Sequence, residues 1–261
     1  MKLSIITINF NHADDLLKTI NSVLEQTWTD YEFLIIDGGS TDQSVDHIRN
    51  VQDKLAYWVS EKDRGVFHAM NKGLEMAQGD YVFMLNAGDF FSDSAVLSRI
   101  FETGEFQEDI LYGDVYRSAG GKVFETSIFP DRLTFNFFRK GSLSHQSTFI
   151  KRDLHRLIGM YDEQLRFCAD WKFFLLAICK YNVTYRHLPF MVAVCDCGGL
   201  TCSPVNFPAM AMENNAVLEQ YFPTFLEDYS NIDLMERQRI KSRLKAFQVQ
   251  VKSQVKAVLG R

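Results

Sequence analysis

The amino-acid sequence predicts an α/β protein: a mostly parallel central sheet flanked by helices, with a helical tail at its C-terminus. Three observations carry that expectation. Short β-branched runs alternate with stretches of helical periodicity through the first 100 residues, the pattern of βαβ units joined by right-handed crossovers. Polar residues collect at the ends of four successive runs. Residues 233–261 depart from the rest in both charge and pattern.

The elements follow in order. Leu3 to Ile8 is a buried strand, since a secretory leader would need a longer apolar stretch and a small-residue cleavage site. Asp14 to Gln26 sets Leu16, Leu17, Ile20, Val23 and Leu24 at helical spacing. Tyr31 to Ile36 is a second strand, ending in Asp37-Gly38-Gly39-Ser40-Thr41-Asp42, whose side chains suit a helix cap. Val45 to Val51 continues as a helix and Leu55 to Val59 as a third strand. His68 to Gln78 is a helix closed by Gly79, and Tyr81 to Leu85 a fourth strand. From Ile110 the pattern is less regular. Strands are expected from Ile110, over Lys122–Ser127 and Ser147–Ile150, and as two pieces at Val183–His187 and Met191–Cys195. Helices are expected at Asp170–Lys180 and Glu213–Tyr221. The domain is read as residues 1–232, with 1–100 and 101–232 as its halves and 233–261 as the tail.

Composition excludes several classes. The 261 residues include 28 Lys and Arg against 33 Asp and Glu, a formal charge of −5, so the basic excess of a nucleic-acid binder is missing. No apolar run approaches the roughly 20 residues that span a bilayer. The 22 Phe, 10 Tyr and 3 Trp supply a substantial core and exclude disorder over most of the chain. Five cysteines without a leader argue for reduced thiols and a cytoplasmic protein. The spacing of Cys195, Cys197 and Cys202 fits no common zinc pattern.

Ligands in open parallel sheets bind beyond the carboxyl ends of the strands. Those ends carry Thr7, Asn9 and Asn11; Asp37; Asp63 and Arg64; and Asn86 and Asp89. Each has an ordinary reading beside a functional one. Asp89 suits a hard divalent cation or a turn that caps the next helix. Asp63-Arg64-Gly65 leads into a helix whose free N–H groups suit a phosphate or a side-chain cap. Asp170 opens an apolar helix, as a cap or as an acid facing a cleft. His145-Gln146 is a polar pair of either kind.

Taken together these blocks resemble glycosyltransferase family 2, whose members have the GT-A (Rossmann-like) fold. The blocks are Ser4-Ile-Ile-Thr-Ile-Asn-Phe-Asn11, Ser22-Val-Leu-Glu-Gln-Thr27, Phe33-Leu-Ile-Ile-Asp-Gly-Gly-Ser-Thr-Asp42, Asp63-x-Gly65 with Ala69-Met-Asn-Lys-Gly73, and Gly79-Asp-Tyr-Val-Phe-Met-Leu-Asn86. His145-Gln146, Tyr161-Asp-Glu163 and Cys168-Ala-Asp-Trp171 extend the likeness to about residue 202.

The resemblance implies an inverting enzyme that takes a UDP- or GDP-sugar and a glycan or lipid-linked acceptor in polysaccharide biosynthesis. Thr7, Asn9, Asp37, Asp63, Arg64, Asn71, Lys72 and Asn86 would bind the nucleotide-sugar. Asp89 would hold Mn²⁺ or Mg²⁺ against the diphosphate. Asp170 would be the general base, with His145 and Gln146 on the acceptor side. Two departures stand out: the usual Asp-x-Asp appears as Asn86-Ala87-Gly88-Asp89, and Asp37-Gly38 replaces a frequent Asp-Asp. The first motivates an alternative, a non-catalytic binding module of the same fold. A nucleotidyltransferase would show a Gly-rich basic N-terminal loop, which this chain lacks.

The tail carries eight basic residues against Asp233 and Glu236, a surplus of six, which leaves −11 on residues 1–232. Ile240, Leu244, Phe247, Val251 and Val258 share one helical face. A basic amphipathic helix suits peripheral contact with the inner membrane face, or dimerisation.

Overall fold

The computed structural model describes residues 3–102 and 106–259, with the side chains of 200, 236, 237, 245, 246 and 248–259 outside the description. The chain divides into two units, Met1–Met210 and Ala211–Arg261.

The first unit begins with β1 (Leu3–Asn9), buried at every position. A strand covered on both faces needs such a continuous apolar run. α1 (Ala13–Leu24) follows and buries Leu16, Ile20 and Val23, the inward stripe set by helical spacing. β2 (Tyr31–Asp37), α2 (Ser44–Asn50), β3 (Tyr57–Ser60), α3 (Val66–Met76) and β4 (Tyr81–Met84) complete the regular half. Beyond them come β5 (Phe90–Phe91), α4 (Val96–Phe101), β6 (Ile110–Ala119), β7 (Lys122–Ser127), α5 (Phe135–Lys140), β8 (Thr148–Lys151), α6 (Leu154–Leu157), α7 (Ala169–Cys179) and β9 (Tyr185–Asp196). α8 (Phe207–Tyr221) crosses into the second unit, which also holds α9 (Pro223–Leu259). The expected tail thus begins inside a helix that starts ten residues earlier, at Pro223.

Among the described residues the strands form one sheet in the order β3-β2-β1-β4-β8-β6-β9-β5, with β7 on β6. The pairings β3-β2-β1-β4 are parallel, as the strand–helix alternation predicts. β8 then enters antiparallel to both β4 and β6, and β6 runs parallel to β9. The second half of the sheet is therefore mixed. There only β6 and β7 are joined by a tight turn, while α4, α5, α6 and α7 lie in the other connections. Gly120 and Gly121, at φ 55° and 76°, close the β6–β7 hairpin in the left-handed region that such turns require.

The two strands expected at Val183–His187 and Met191–Cys195 are one, β9, running through Pro189. The register against β6 shifts at Gly113–Asp114, between Leu188 and Met191, and a bulge is where a strand tolerates proline. The register also aligns strand ends: Asn9 lies beside Asp37, and Asp37 beside Ser60.

Packing explains part of the Ala69-Met-Asn-Lys-Gly73 block. A Cβ on Gly73 would collide with Ile6 Cγ2, so glycine lets α3 lie close on β1. That contact fixes where Asn71 and Lys72 stand. Beneath the sheet Phe83 stacks on Phe149 at 4.4 Å and on Phe91 at 5.2 Å, joining the parallel half to the mixed half.

Candidate active site

The strand ends build two hydrogen-bonded groups. In the first, Asp37 is the hub. Its Oδ1 accepts from Asn9 Nδ2 at 2.7 Å and Ser40 Oγ at 2.6 Å. Its Oδ2 accepts from Ser40 N at 2.9 Å and Ser60 Oγ at 2.6 Å. Burial by itself opposes the charge, but the bonds from Ser40, Ser60 and Asn9 outweigh it and hold the carboxyl below its ordinary value. Neither Asp37 nor Thr7 has exposed surface, and Thr7 Oγ1 donates to Leu85 O at 2.7 Å. Both side chains are therefore buried beneath the strand ends.

Beside them, Asp63 bonds His68 Nδ1 at 3.0 Å and Lys72 Nζ at 2.7 Å. Lys72 also reaches Glu61 Oε1 at 3.0 Å. Burial opposes the lysine charge, yet the two acids hold its pKa above the ordinary value. A Cβ on Gly38 would stand 3.3 Å from both Asp63 Oδ2 and the Phe10 ring. A second acid there would face Asp63, which accounts physically for glycine at 38. Phe10 itself is 58% exposed.

Asn71 does not join this group. Its Nδ2 donates to Tyr161 O (2.9 Å) and Glu163 Oε1 (3.0 Å), and its Oδ1 accepts from Tyr161 N (3.0 Å). Arg64, largely exposed, pairs with Glu163 Oε2 at 2.7 Å. Asn71 and Arg64 therefore clamp the loop before α7 onto the start of α3.

The second group joins the end of β4 to the later half of the chain. Asp170 lies in the first turn of α7, where its Oδ1 accepts from Trp171 N at 2.8 Å. Trp171 anchors that turn by donating Nε1–H to Phe138 O at 2.8 Å. The other oxygen, Oδ2, lies 2.9 Å from His145 Nδ1. The far ring nitrogen, His145 Nε2, meets Asn86 Nδ2 at 3.1 Å, and Asn86 Oδ1 is buried without a partner. Burial opposes a charged His145, but Asp170, with Asp89 nearby, holds its pKa above the ordinary value.

The next residue, Gln146, donates to Asp89 Oδ2 at 3.1 Å. Asp89 Oδ1 accepts from Asp196 N at 2.8 Å. Asp89 is 4% exposed, and burial pushes its carboxyl up to about 6 against the Asp196 N–H bond.

Asp89, the expected metal ligand, is thus held inside this network. Each Asp89 oxygen accepts a single hydrogen bond and keeps a lone pair, so it is burial, not bonding, that covers the carboxylate in this structure. Among the described residues, no group of three His, Cys, Asp or Glu side chains is arranged to hold a cation.

The structure thus gathers Asn86, Asp89, His145, Gln146 and Asp170 into one network, and places Asn9 with Asp37 and Asp63 with Lys72 at the neighbouring strand ends. Sequence reasoning missed Phe10, His68 and Glu163 as participants. Phe10 and Glu163 lie inside blocks it had singled out. It also missed Asp196, which acts through its backbone N–H and leaves no side-chain signal.

The family model described as "Glycosyl transferase family 2" matches residues 4–157. A PGL/p-HBAD biosynthesis glycosyltransferase of Mycobacterium tuberculosis is 32% identical over 196 residues, 73% of this chain and 75% of that relative. S. aureus TarS 1–349 superposes with a TM-score of 0.63 at 18% identity, over 84% of this chain and 66% of that one. Crystals of TarS 1–349 with UDP and with UDP-GlcNAc give 0.64. PcManGT, a mannosyltransferase of Pyrobaculum calidifontis solved with GDP-Man and Mn²⁺, superposes at 0.57 and 17% identity, over 86% of this chain and 64% of that one. The chain therefore spans about two thirds of the length of these solved proteins.

Proposed function

Because this chain belongs to glycosyltransferase family 2, with a GT-A-like fold and a C-terminal helical region, we propose that it is an inverting transferase with Asp170 as general base. The donor is a nucleoside-diphosphate sugar held beyond β1, β2 and β4. The acceptor is a hydroxyl of a glycan or lipid-linked sugar, as in cell-surface polysaccharide assembly.

One observation carries the reading: Asp170 is tied through His145 to Asn86, just past β4, with carboxylate lone pairs still free. Within the Asp170–His145 pair the roles follow from the bonds. His145 has a neighbour at each ring nitrogen, so it has no atom left for an acceptor. Asp170 uses one bond on each oxygen, and a carboxylate oxygen accepts two.

In the step itself the acceptor O–H proton passes to Asp170 as the oxygen bonds the anomeric carbon. The bond from that carbon to the diphosphate breaks, and its electron pair leaves with the nucleoside diphosphate. One in-line displacement inverts the centre and needs no enzyme nucleophile. Asn9, Asp63 and Phe10 line the donor crevice, Thr7 and Asp37 set its floor, and Lys72 holds Asp63 in place.

TarS was solved with UDP-GlcNAc, and PcManGT with GDP-Man and Mn²⁺. The donor here is a UDP- or GDP-sugar of the same class. No step is assigned to a metal, because the Asp89 carboxylate is closed off. The buried Asp89 also favours a second reading, a module that binds a nucleotide-sugar without turning it over.

The test is a thermal-shift screen of UDP- and GDP-sugars, with and without Mn²⁺ or Mg²⁺, since a ligand of the folded state raises its stability by mass action. Acceptor-dependent release of nucleoside diphosphate is then measured for the parent and Asp170→Asn. Full release by Asp170→Asn removes the base. Binding without any release favours the module.

No helix among the described residues is long and apolar enough to cross a membrane. α9 exposes Ile240, Leu244 and Phe247 at 57–63%, within the segment holding six surplus positive charges. Val251 and Val258, expected on the same face, lie outside the described side chains. We assign this face to an anionic membrane surface, where each basic residue contributes about 1 kcal/mol. Co-sedimentation of the full chain with anionic vesicles should fall in the Ile240→Glu, Leu244→Glu, Phe247→Glu variant. Unchanged binding leaves dimerisation as the alternative.

A further inference from the structure

His145 and Gln146 are adjacent on one 3₁₀ turn, His145–Ser147, yet each holds a different acid: His145 takes Asp170 and Gln146 takes Asp89. That turn is itself pinned. Ser144 O accepts from Ser147 N at 3.1 Å and Thr148 Oγ1 at 2.7 Å. Ser144 Oγ donates to Gln146 Oε1 at 2.6 Å.

On the other side of His145, Asn86 stands between two residues tied to the central strand. Leu85 N donates to Ile6 O and Ala87 N to Ile8 O, at 3.0 and 3.1 Å. A continuous line of bonds therefore runs from β1 through Asn86 and His145 to the Asp170 carboxylate. Without that line the carboxylate keeps only its bond to Trp171 N, and it is free to turn about its side-chain torsion.

We propose that His145 is a positioning residue for Asp170, with Nδ1 aiming the carboxylate and Nε2 registering it against Asn86 on the donor side. The inference rests on the reading of Asp170 as the base. His145 is 14% exposed at its side chain and touches neither substrate in this role. It matters because displacing a reacting group by about 1 Å costs on the order of 100-fold in rate.

Two substitutions separate the ring nitrogens. The amide nitrogen of asparagine falls near the place of Nδ1 and keeps a donor for Asp170. The amide of glutamine falls near Nε2, where its oxygen can accept from Asn86 Nδ2, and it leaves Asp170 without the donor. The experiment compares His145→Asn, His145→Gln, His145→Ala and Asp170→Asn in the full chain, using the UDP- or GDP-sugar that the shift screen selects. It reads kcat and KM from nucleoside diphosphate release, donor affinity by calorimetry, and folding by thermal melts.

His145→Asn is expected to keep kcat within about tenfold of the parent, and His145→Gln and His145→Ala to lose about 100-fold. Donor affinity should stay within about threefold in all three, because the base is not needed for binding. His145→Asn falling as far as His145→Ala overturns the proposal. So does His145→Gln matching the parent. If Asp170→Asn keeps full turnover, the underlying assignment of the base fails. If Asp170→Asn is inactive while His145→Ala turns over normally, only the positioning role fails.

Discussion

Replacing Asp89 with asparagine should make the protein more stable at neutral pH than at acid pH, relative to the parent. The folded state holds the Asp89 proton up to about pH 6, against an ordinary 3.8. A carboxyl with a raised folded pKa stabilises the fold fully below the unfolded value, and that contribution disappears as pH rises from 3.8 through 6. At about 1.4 kcal/mol per pH unit, the gap amounts to about 3 kcal/mol.

Asparagine cannot ionise, so it escapes that loss. Its carbonyl keeps the bond from Asp196 N. Its amide nitrogen meets Gln146, whose own amide must turn over at the expense of its contact with Ser144. That rearrangement costs about 1 kcal/mol at every pH. The diagnostic is therefore the slope: variant minus parent should gain about 3 kcal/mol between pH 4 and 7. Urea unfolding of both proteins at stepped pH measures it, and other carboxylates titrate alike in the two chains and cancel. A flat difference across the range would refute the reasoning. Mn²⁺ raising the melting temperature of the parent but not of the variant would do the same.

Three further outcomes are expected. His187 lies between Asp114 (2.9 Å) and Asp131 (2.7 Å). Burial opposes its charge, but the two acids raise its folded pKa. Its contribution is present below the unfolded value near 6.5 and lost as pH rises through the folded one, so His187→Gln should cost more at pH 6 than at pH 9 in urea titrations. Asn71→Ala removes three hydrogen bonds and leaves the backbone of Tyr161 unpaired. It should cost about 3 kcal/mol by chemical denaturation and expose the 161–163 loop to proteolysis. Gly73→Ala drives a methyl into Ile6 and should cost about 1–3 kcal/mol despite better helix propensity; a melt at or above that of the parent would contradict the packing argument.

The regular half was legible because burial and period coincide there. β1, β2 and β4 are apolar runs covered on both faces, and α1 shows its inward stripe plainly. The short elements β5, α4, α5 and α6 escaped, since two to six residues carry too little period to register. β9 was split because Pro189 reads as a break until the bulge opposite it is known.

The site was legible as a set of positions, less so as a set of roles. Asn86, Asp89, His145, Gln146 and Asp170 do converge. No spacing rule shows that Asp89 turns inward, because the donor that draws it there is a backbone N–H. Nor does sequence show that Lys72 is spent on Asp63 and Glu61, or that Asn71 is occupied with the Tyr161–Glu163 loop. Those outcomes depend on partners many residues away.

The dipeptide at the start of the 3₁₀ turn has an evolutionary corollary. Since successive residues grip the two acids, a single insertion between Gly141 and Thr148 would unseat both at once. With Asp170 as the proposed base, loop length there is tied to the chemistry and cannot drift independently of it. The exposed Gly120-Gly121 tip carries no such linkage. Diversity in this half of the molecule should therefore accumulate in the hairpin, while the turn stays constant in length across relatives that share the His145–Asp170 pair.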